Sequence, residues 1–396
     1  MPAPAPAWHG GSSFALPADA DGAVLVGRVF DPAVDGPSPV VVRDGVLVDV
    51  STRFPTVRDL CEAPDPVAAL AEVRGRPLAA LDDVLVSTAA AVPDPTLPRL
   101  LAPIDLQAVK AAGVTFVESM LERVIEERVG GDPDAAQDVR ARIREQLGTD
   151  LRSLRPGSPE AAELKALLVS EGMWSQYLEV GIGPDAEIFT KAQVLSTVGT
   201  AVPVGVLAES QWNNSEPEVV LVVQSRGKVV GATLGNDVNL RDVEGRSALL
   251  LPKAKDNNAS CAVGPFVRLL DPSFDLDAVR ALDVDLRVDG EDGFRLEETS
   301  QMRHISRDPE HLVAQLLGPH HRYPDGAALM LGTMVAPSVD RGPVGAGFTH
   351  HTGDVVRISS ARLGGLVNRV EASEKCEPWT FGIRSLMTNL AARGLL

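Results

Sequence analysis

Histidine is scarce in this chain: there are seven in 396 residues, and none lies between His9 and His304. The commonest general base at neutral pH is therefore missing from the whole middle of the sequence. Cysteine is scarcer still. Cys61, Cys261 and Cys376 are far apart, odd in number and form no C-x-x-C pair, so neither a disulfide framework nor a zinc site is suggested. They read as reduced packing residues. Lysine supplies only seven of the 37 basic residues, so the grouping of Lys191, Lys253 and Lys255 near one acidic motif is notable. Lys253 reads as solvated surface charge. Long apolar runs are lacking too: nothing approaches the roughly 20 residues of a membrane span. The opening MPAPAPAWHGG lacks the basic and apolar regions of a secretion signal, so the expected location is cytoplasmic. Positive charge is in deficit, with a net charge of −17 and a pI near 4.9, which argues against nucleic-acid and anionic-membrane partners.

What is present is an ordinary globular composition, 44% hydrophobic and 23% charged, in a chain long for one core. Residues 1–15 form a Pro/Ala/Gly tail. Residues 16–100 read as a small α+β N-terminal domain, with Asp44-Gly45 between apolar runs as a hairpin signal. A proline-rich connector follows, and residues 101–396 form a second, β-rich unit. Within it the segment from about 117 to 172 reads as a helical insertion of three helices. These are ESMLERVIEERV, a second with Asp132, Pro133 and Gly148 as its start and stop signals, and a third with Ser158, Pro159 and Gly172 in the same roles. Eight strand-like runs come next, interrupted by a helix at RDPEHLVAQLLG. Trp174 and Tyr177 read as core or interface, and His350 and His351 as surface loop residues.

The most informative stretch is NNSEPEVVLVVQSRGKVVGATLGNDV, residues 213–238. Glu216 and Glu218 point to one face of a strand. With Arg226-Gly227 as a two-residue turn and Ser225 opposite Lys228, Glu216 faces Asp237 and three carboxylates converge. Such a cluster is costly unless a cation neutralises it. Oxygen-only ligands suit a hard ion such as Mg²⁺, Mn²⁺ or Ca²⁺. A three-residue loop would slip the pairing by one and turn Asp237 away unless a second bulge compensated. A solvated hairpin with acidic edge residues is the other reading of the same spacing.

The segments SEPEVVLVV, LGNDVNLRD, KAKDN, VGPFVR, LGTMVAP and GGLVNRV stand in the order and spacing of the fumarylacetoacetate hydrolase family. The chain resembles that family from about residue 101 to 396. The resemblance implies a mixed β-sandwich or roll with Mg²⁺ (or Mn²⁺) held by Glu216, Glu218 and Asp237. It also implies a functional lysine at Lys255 and a substrate-binding threonine at Thr333. Hydrolase members carry N-Y-x-x-H-x-x-E, whose His/Glu pair activates water. Here TFVESMLE places Ser119 at the histidine position and leaves Glu122 alone. The family's sugar-acid dehydratase branch has E-I-F-x-K, matched by Glu187 and Lys191 in AEIFTK. The resemblance thus implies a Mg²⁺-dependent dehydratase of a 2-keto-3-deoxy sugar acid in oxidative pentose breakdown, yielding 2,5-dioxopentanoate. Lys255 and Glu187 would be catalytic, in either order as base and acid. Thr333, Lys191, Ser119 and Asn257 would bind substrate, in a homodimer or homotetramer. A hydrolase or decarboxylase of an acyl-pyruvate, and a non-catalytic metal- or carbohydrate-binding domain, are the competing classes.

Overall fold

The two longest strands form one hairpin, and its residues are buried along their whole length. Asn213–Val223 pairs antiparallel with Val229–Leu240, and the apolar residues of the two faces enter different cores. Val219, Leu221, Leu234 and Val238 pack into the core shared with the second sheet. Val220, Val222 and Val230 pack into the core beneath the N-terminal helices. Strands covered on both sides read as continuous hydrophobic runs, which is how VVLVV appears in the sequence. In the computed structural model, residues 8–130, 154–170, 172, 174–342 and 347–396 are described.

Among the described residues, the hairpin's two strands and nine others form one sheet of 11. Cys261–Leu269 flanks Val229–Leu240, while Ala327–Met330, Ala108–Gly113 and Glu187–Ala192 continue beyond Asn213–Val223. Ala327–Met330 runs parallel to Ala108–Gly113, so the sheet is mixed. A five-stranded sheet packs against the hairpin's other face, and it too contains a parallel pair, Val202–Val206 beside Gly364–Ala372. The architecture is the expected α+β, β-rich one. The expected division at residue 100 does not coincide with a break in the sheet. Leu25–Asp31 pairs with Cys261–Leu269, through Leu25 with Arg268 and Val26 with Val267.

Local signals behave as their chemistry dictates. Asp44 and Gly45 take φ of 49° and 72° between the paired Arg43 and Val46, the left-handed geometry of a tight hairpin turn. The Pro159–Ser170 helix starts at Ser158, whose Oγ accepts from Ala161 N. The helix read from Asp132 to Gly148 lies outside the described residues. Cys61, Cys261 and Cys376 are free and buried. No helix among the described residues is long and apolar enough to cross a membrane.

Candidate metal centre and active site

The turn of the central hairpin differs from the expected one. Gln224 N donates to Lys228 O, and Val223 pairs with Val229, so Ser225, Arg226 and Gly227 make a three-residue loop with Gly227 at φ 87°. This loop shifts the register by one. Val230 then bulges out, Gly231 pairs with Val222, and the shift is cancelled before the acidic residues are reached. Glu216 therefore faces Asp237, and Glu218 lies on the same side. One carboxylate oxygen from each can be chosen so that all lie within 4.8 Å of one another.

All three side chains are almost fully buried. Burial, and then the charges of Asp237 and Glu216, push the Glu218 carboxyl well above its ordinary range. Gly332 N donates to its Oε2 at 2.6 Å. That approach requires glycine: Gly332 has φ 88°, and a Cβ there would sit 2.0 Å from Thr115 Oγ1. Asp237 is held low. Burial opposes its charge, but Lys191 and Lys255 outweigh it. A cluster in which burial and neighbouring carboxylates push one carboxyl well up fits a divalent cation, and the all-oxygen donor set suits a hard one.

Lys255 stands at the end of the short Leu251–Lys255 helix, with Nζ 2.6 Å from Glu216 Oε2 and 3.0 Å from Asp237 Oδ2. Burial opposes its charge, yet Asp237, Glu216 and Glu244 together raise its pKa, so in the protein alone it is a cation. Glu187 opens the Glu187–Ala192 strand opposite Gly113, where a Cβ would lie 2.2 Å from its Oε2. Burial raises its pKa, with Glu216 and Asp237 adding to the effect against Arg123 and Lys255. It is thus a carboxyl biased toward its protonated form within the field of the acidic cluster.

The remaining expected residues divide. Lys191, expected at the substrate, is fully buried instead: Nζ lies 2.9 Å from Asp237 Oδ1 and donates to the carbonyls of Val238 and Lys255. It braces Asp237 from behind. Ser119 lies on the Val117–Arg128 helix and donates to Phe116 O, and it lines a cleft whose walls include Arg123, Asn214, Glu216, Val335 and Ala336. Thr333 follows Gly332 and accepts from Val335 N at 3.1 Å, which holds that wall of the cleft. Asn257 is not among the cleft's lining residues; its amide donates to Lys253 O. Lys253 itself is exposed beside Glu209.

Sequence reading missed Arg123. Its guanidinium contacts Glu216 at 2.5 Å, Glu126 at 2.7 Å and Glu244 at 2.8 Å. Burial and neighbouring carboxylates push Glu244 up to about 7 despite Arg123 and Lys255. Arg241 extends the network to Glu126 and to Glu122, the family-position glutamate, at 3.2 Å. The signal was available: Ser119, Glu122, Arg123 and Glu126 recur at helical spacing. What the sequence withheld was the partner elements. The expected helical insertion therefore supplies a wall of the site in its first helix.

His350 also corrects its expected surface position. It is buried, with Nδ1 3.1 Å from Asp354 Oδ2 and Nε2 3.0 Å from Ser215 Oγ, while Arg341 grips Asp354 at 2.5 and 2.8 Å. The row has the connectivity of a nucleophilic triad. Ser215, however, is only 1% exposed, on the hairpin face opposite the acidic cluster, so no substrate reaches it. Burial lowers the His350 pKa, with Arg341 and His351 assisting and Asp354 opposing. Below about pH 6.5 the unfolded chain takes up a proton that folded His350 refuses, so its contribution is complete above that pH and is lost as pH falls. His350→Gln should therefore flatten the decline of the melting temperature between about pH 6.5 and 5 relative to the parent. Parallel melting curves across that window would show that His350 does not carry the slope.

With this geometry in place, comparison with known proteins is informative. The family described as "Fumarylacetoacetate (FAA) hydrolase C-terminal" matches residues 187–371. The 2-dehydro-3-deoxy-D-arabinonate dehydratase of Saccharolobus solfataricus is 30% identical over 189 residues, 48% of this chain and 60% of that protein. A Haloferax volcanii protein named "Probable 2-keto-3-deoxyxylonate dehydratase" is 30% identical over 198 residues, 50% of this chain and 64% of its own. The matched region thus spans less than two thirds of either relative. Among solved structures, a 2-keto-3-deoxy-D-arabinonate dehydratase complexed with magnesium and 2,5-dioxopentanoate superposes with a TM-score of 0.58 at 22% identity, covering 88% of this chain and 99% of that one.

Proposed function

We propose, from the match of residues 187–371 to the fumarylacetoacetate hydrolase family, that the chain is a Mg²⁺-dependent hydro-lyase converting a 2-keto-3-deoxypentonate to 2,5-dioxopentanoate. The observation that carries the proposal is one buried cluster. Three oxygen ligands, Glu216, Glu218 and Asp237, adjoin a lysine and a protonation-biased glutamate. No histidine accompanies them: Ser119 stands where a hydrolase has its water-activating base. The names of the two 30%-identical relatives support the substrate class.

In this reading Glu216, Glu218 and Asp237 hold the cation. A cation held there would supply the Lewis acidity that renders the C3 proton of a 2-keto acid more acidic. Lys255 Nζ takes that proton. Once the carboxylate charge around it is neutralised, the burial that opposes its ammonium form favours the neutral amine. Glu187 gives its proton to the C4 hydroxyl as the C4–O bond breaks, so water leaves and the electron pair from C3 forms the C3–C4 double bond. The C5 carbon and its hydroxyl then each give up a proton while C3 and C4 each gain one, which produces the aldehyde with no oxidant. Arg123 and Lys191 orient Glu216 and Asp237. Ser119 and Thr333 flank the substrate from the helix and from the Gly332 loop.

The test couples purified protein, Mg²⁺ and 2-keto-3-deoxypentonate to an NADP-dependent aldehyde-oxidising enzyme. Growth in absorbance that EDTA abolishes and Mg²⁺ restores is expected. A flat trace, with pyruvate released from acyl-pyruvates instead, would replace this reading with the hydrolase one.

A further inference from the structure

The ligand face of the hairpin does not end at the carboxylates. One pleat step beyond Glu216 and Asp237, the same face carries Asn214 and Asn239, which are register partners. Both are buried, at 1% and 0% exposure. Neither atom of the Asn239 amide has a hydrogen-bond partner, and the Asn214 side-chain oxygen has none either. Asn214 lines the cleft that also contains Ser119 and Glu216. Beyond the pair the face closes with Arg241, which is committed to Glu122, Glu126 and the Pro337 carbonyl and stacked on Trp212. Buried polar atoms left unpaired are costly; Asn214, whose Nδ2 donates to Ser215 O and whose Oδ1 has no partner, lines the cleft, and the unpartnered Asn239 amide is its neighbour across the ladder, so the pair is shaped for something polar that enters there.

We infer that Asn214 and Asn239 recognise the C5 hydroxyl of the sugar acid and so select substrates that carry an oxygen at the end of the chain. The inference rests on the proposed dehydratase reading. The dimensions agree. Residues two apart on a strand are separated by about 6.8 Å. An extended chain covers roughly 5 Å from C2 to the C5 oxygen over four bonds, and a hydrogen bond reaches about 2.8 Å further, which spans the step to the amide row. A 2-oxo acid held at the carboxylate row thus places its terminal hydroxyl at the amide row. An amide offers both a donor and an acceptor, matching a hydroxyl, which is also both. A site built to bond a hydroxyl rejects the analogue that lacks it, because its own buried groups are then left unpaired.

Two measurements test this on the full chain loaded with Mg²⁺. The first is the ratio of kcat/KM for 2-keto-3-deoxypentonate to that for 4-hydroxy-2-oxopentanoate, which has a methyl group in place of the C5 hydroxymethyl. The second is calorimetric binding of 2,5-dioxopentanoate against 2-oxopentanoate, which needs no turnover. The parent should favour 2,5-dioxopentanoate in binding about fivefold, the scale of one hydrogen bond to an aldehyde oxygen that only accepts, and should favour the pentonate in kcat/KM about 30-fold or more, the scale of two. Asn239→Ala and Asn214→Ala should each cut the kcat/KM ratio about tenfold or more, and Asn239→Ser should restore part of it. Unchanged ratios in variants that keep the parental melting temperature overturn the inference while leaving the dehydratase reading intact. A parent that neither binds nor dehydrates any of these ligands defeats both. Should Asn239→Ala fail to fold, Asn214→Ala and Asn239→Ser decide the matter.

Discussion

Glu218→Gln should abolish Mg²⁺-dependent dehydration while leaving the metal-free protein as stable as its parent, or more so. The two halves of that expectation come from one observation. Burial and the charges of Asp237 and Glu216 push the Glu218 carboxyl well above its ordinary range and so toward the neutral form, which an isosteric amide reproduces. It also cannot ionise to complete the ligand set. Losing a Lewis acid worth several kcal/mol corresponds to about three decades in kcat/KM. The parent should gain about 3 °C in melting temperature at Mg²⁺ concentrations near 100 times Kd, and the variant should gain almost none. Differential scanning fluorimetry with and without Mg²⁺ separates the outcomes. A variant that retains both activity and the Mg²⁺-induced shift would remove Glu218 from the ligand set.

Lys255→Met carries the second large effect. In the protein alone the ammonium is the direct partner of Glu216 and Asp237, at 2.6 and 3.0 Å. Replacing it by an apolar side chain leaves buried carboxylates short of a counter-charge, which costs about 3–5 kcal/mol. Mg²⁺ should recover most of that loss, so the metal-induced stabilisation of the variant should exceed the parent's. Catalysis should not recover with it. Exchange of the C3 protons of substrate into deuterated water, followed by proton NMR, should vanish in the folded, Mg²⁺-stabilised variant. Continued exchange would transfer the role of base to another group, with Glu187 the first alternative. Stability that Mg²⁺ fails to restore would show Lys255 to be a structural counter-ion in its own right.

Much of the centre was legible because strand alternation is a local rule. Glu216, Glu218 and Asp237 share a face through pleat geometry, and KAKDN follows closely enough in sequence for Lys255 to swing back over them. The turn was misread as two residues, yet the facing pair survived because the bulge at Val230 restored the register. A bulge leaves no mark in an apolar run such as KVVGATLG. It is forced by packing on both faces, where a slip of one would put the valines of each face into the wrong core. His350 failed for the opposite reason. THHTGD carries every loop signal, and the loop is real, but its backbone is pinned to Asn213 and its imidazole is carried beneath the hairpin between Asp354 and Ser215.

The sequence by itself determined the donor chemistry: an all-oxygen set, one rare lysine beside it, and no histidine in the chain's middle. Residue type and strand periodicity are short-range properties, written in order along the chain. Only the tertiary structure decided which groups surround that set. Arg123 and Lys191 brace the carboxylates, while the buried Asn214 and Asn239 amides lie one pleat step away with side-chain atoms unpartnered. Those placements depend on a helix, a loop and distant strands meeting across one sheet face. Contacts of that kind are fixed by how two cores pack and not by the spacing of residues along any segment.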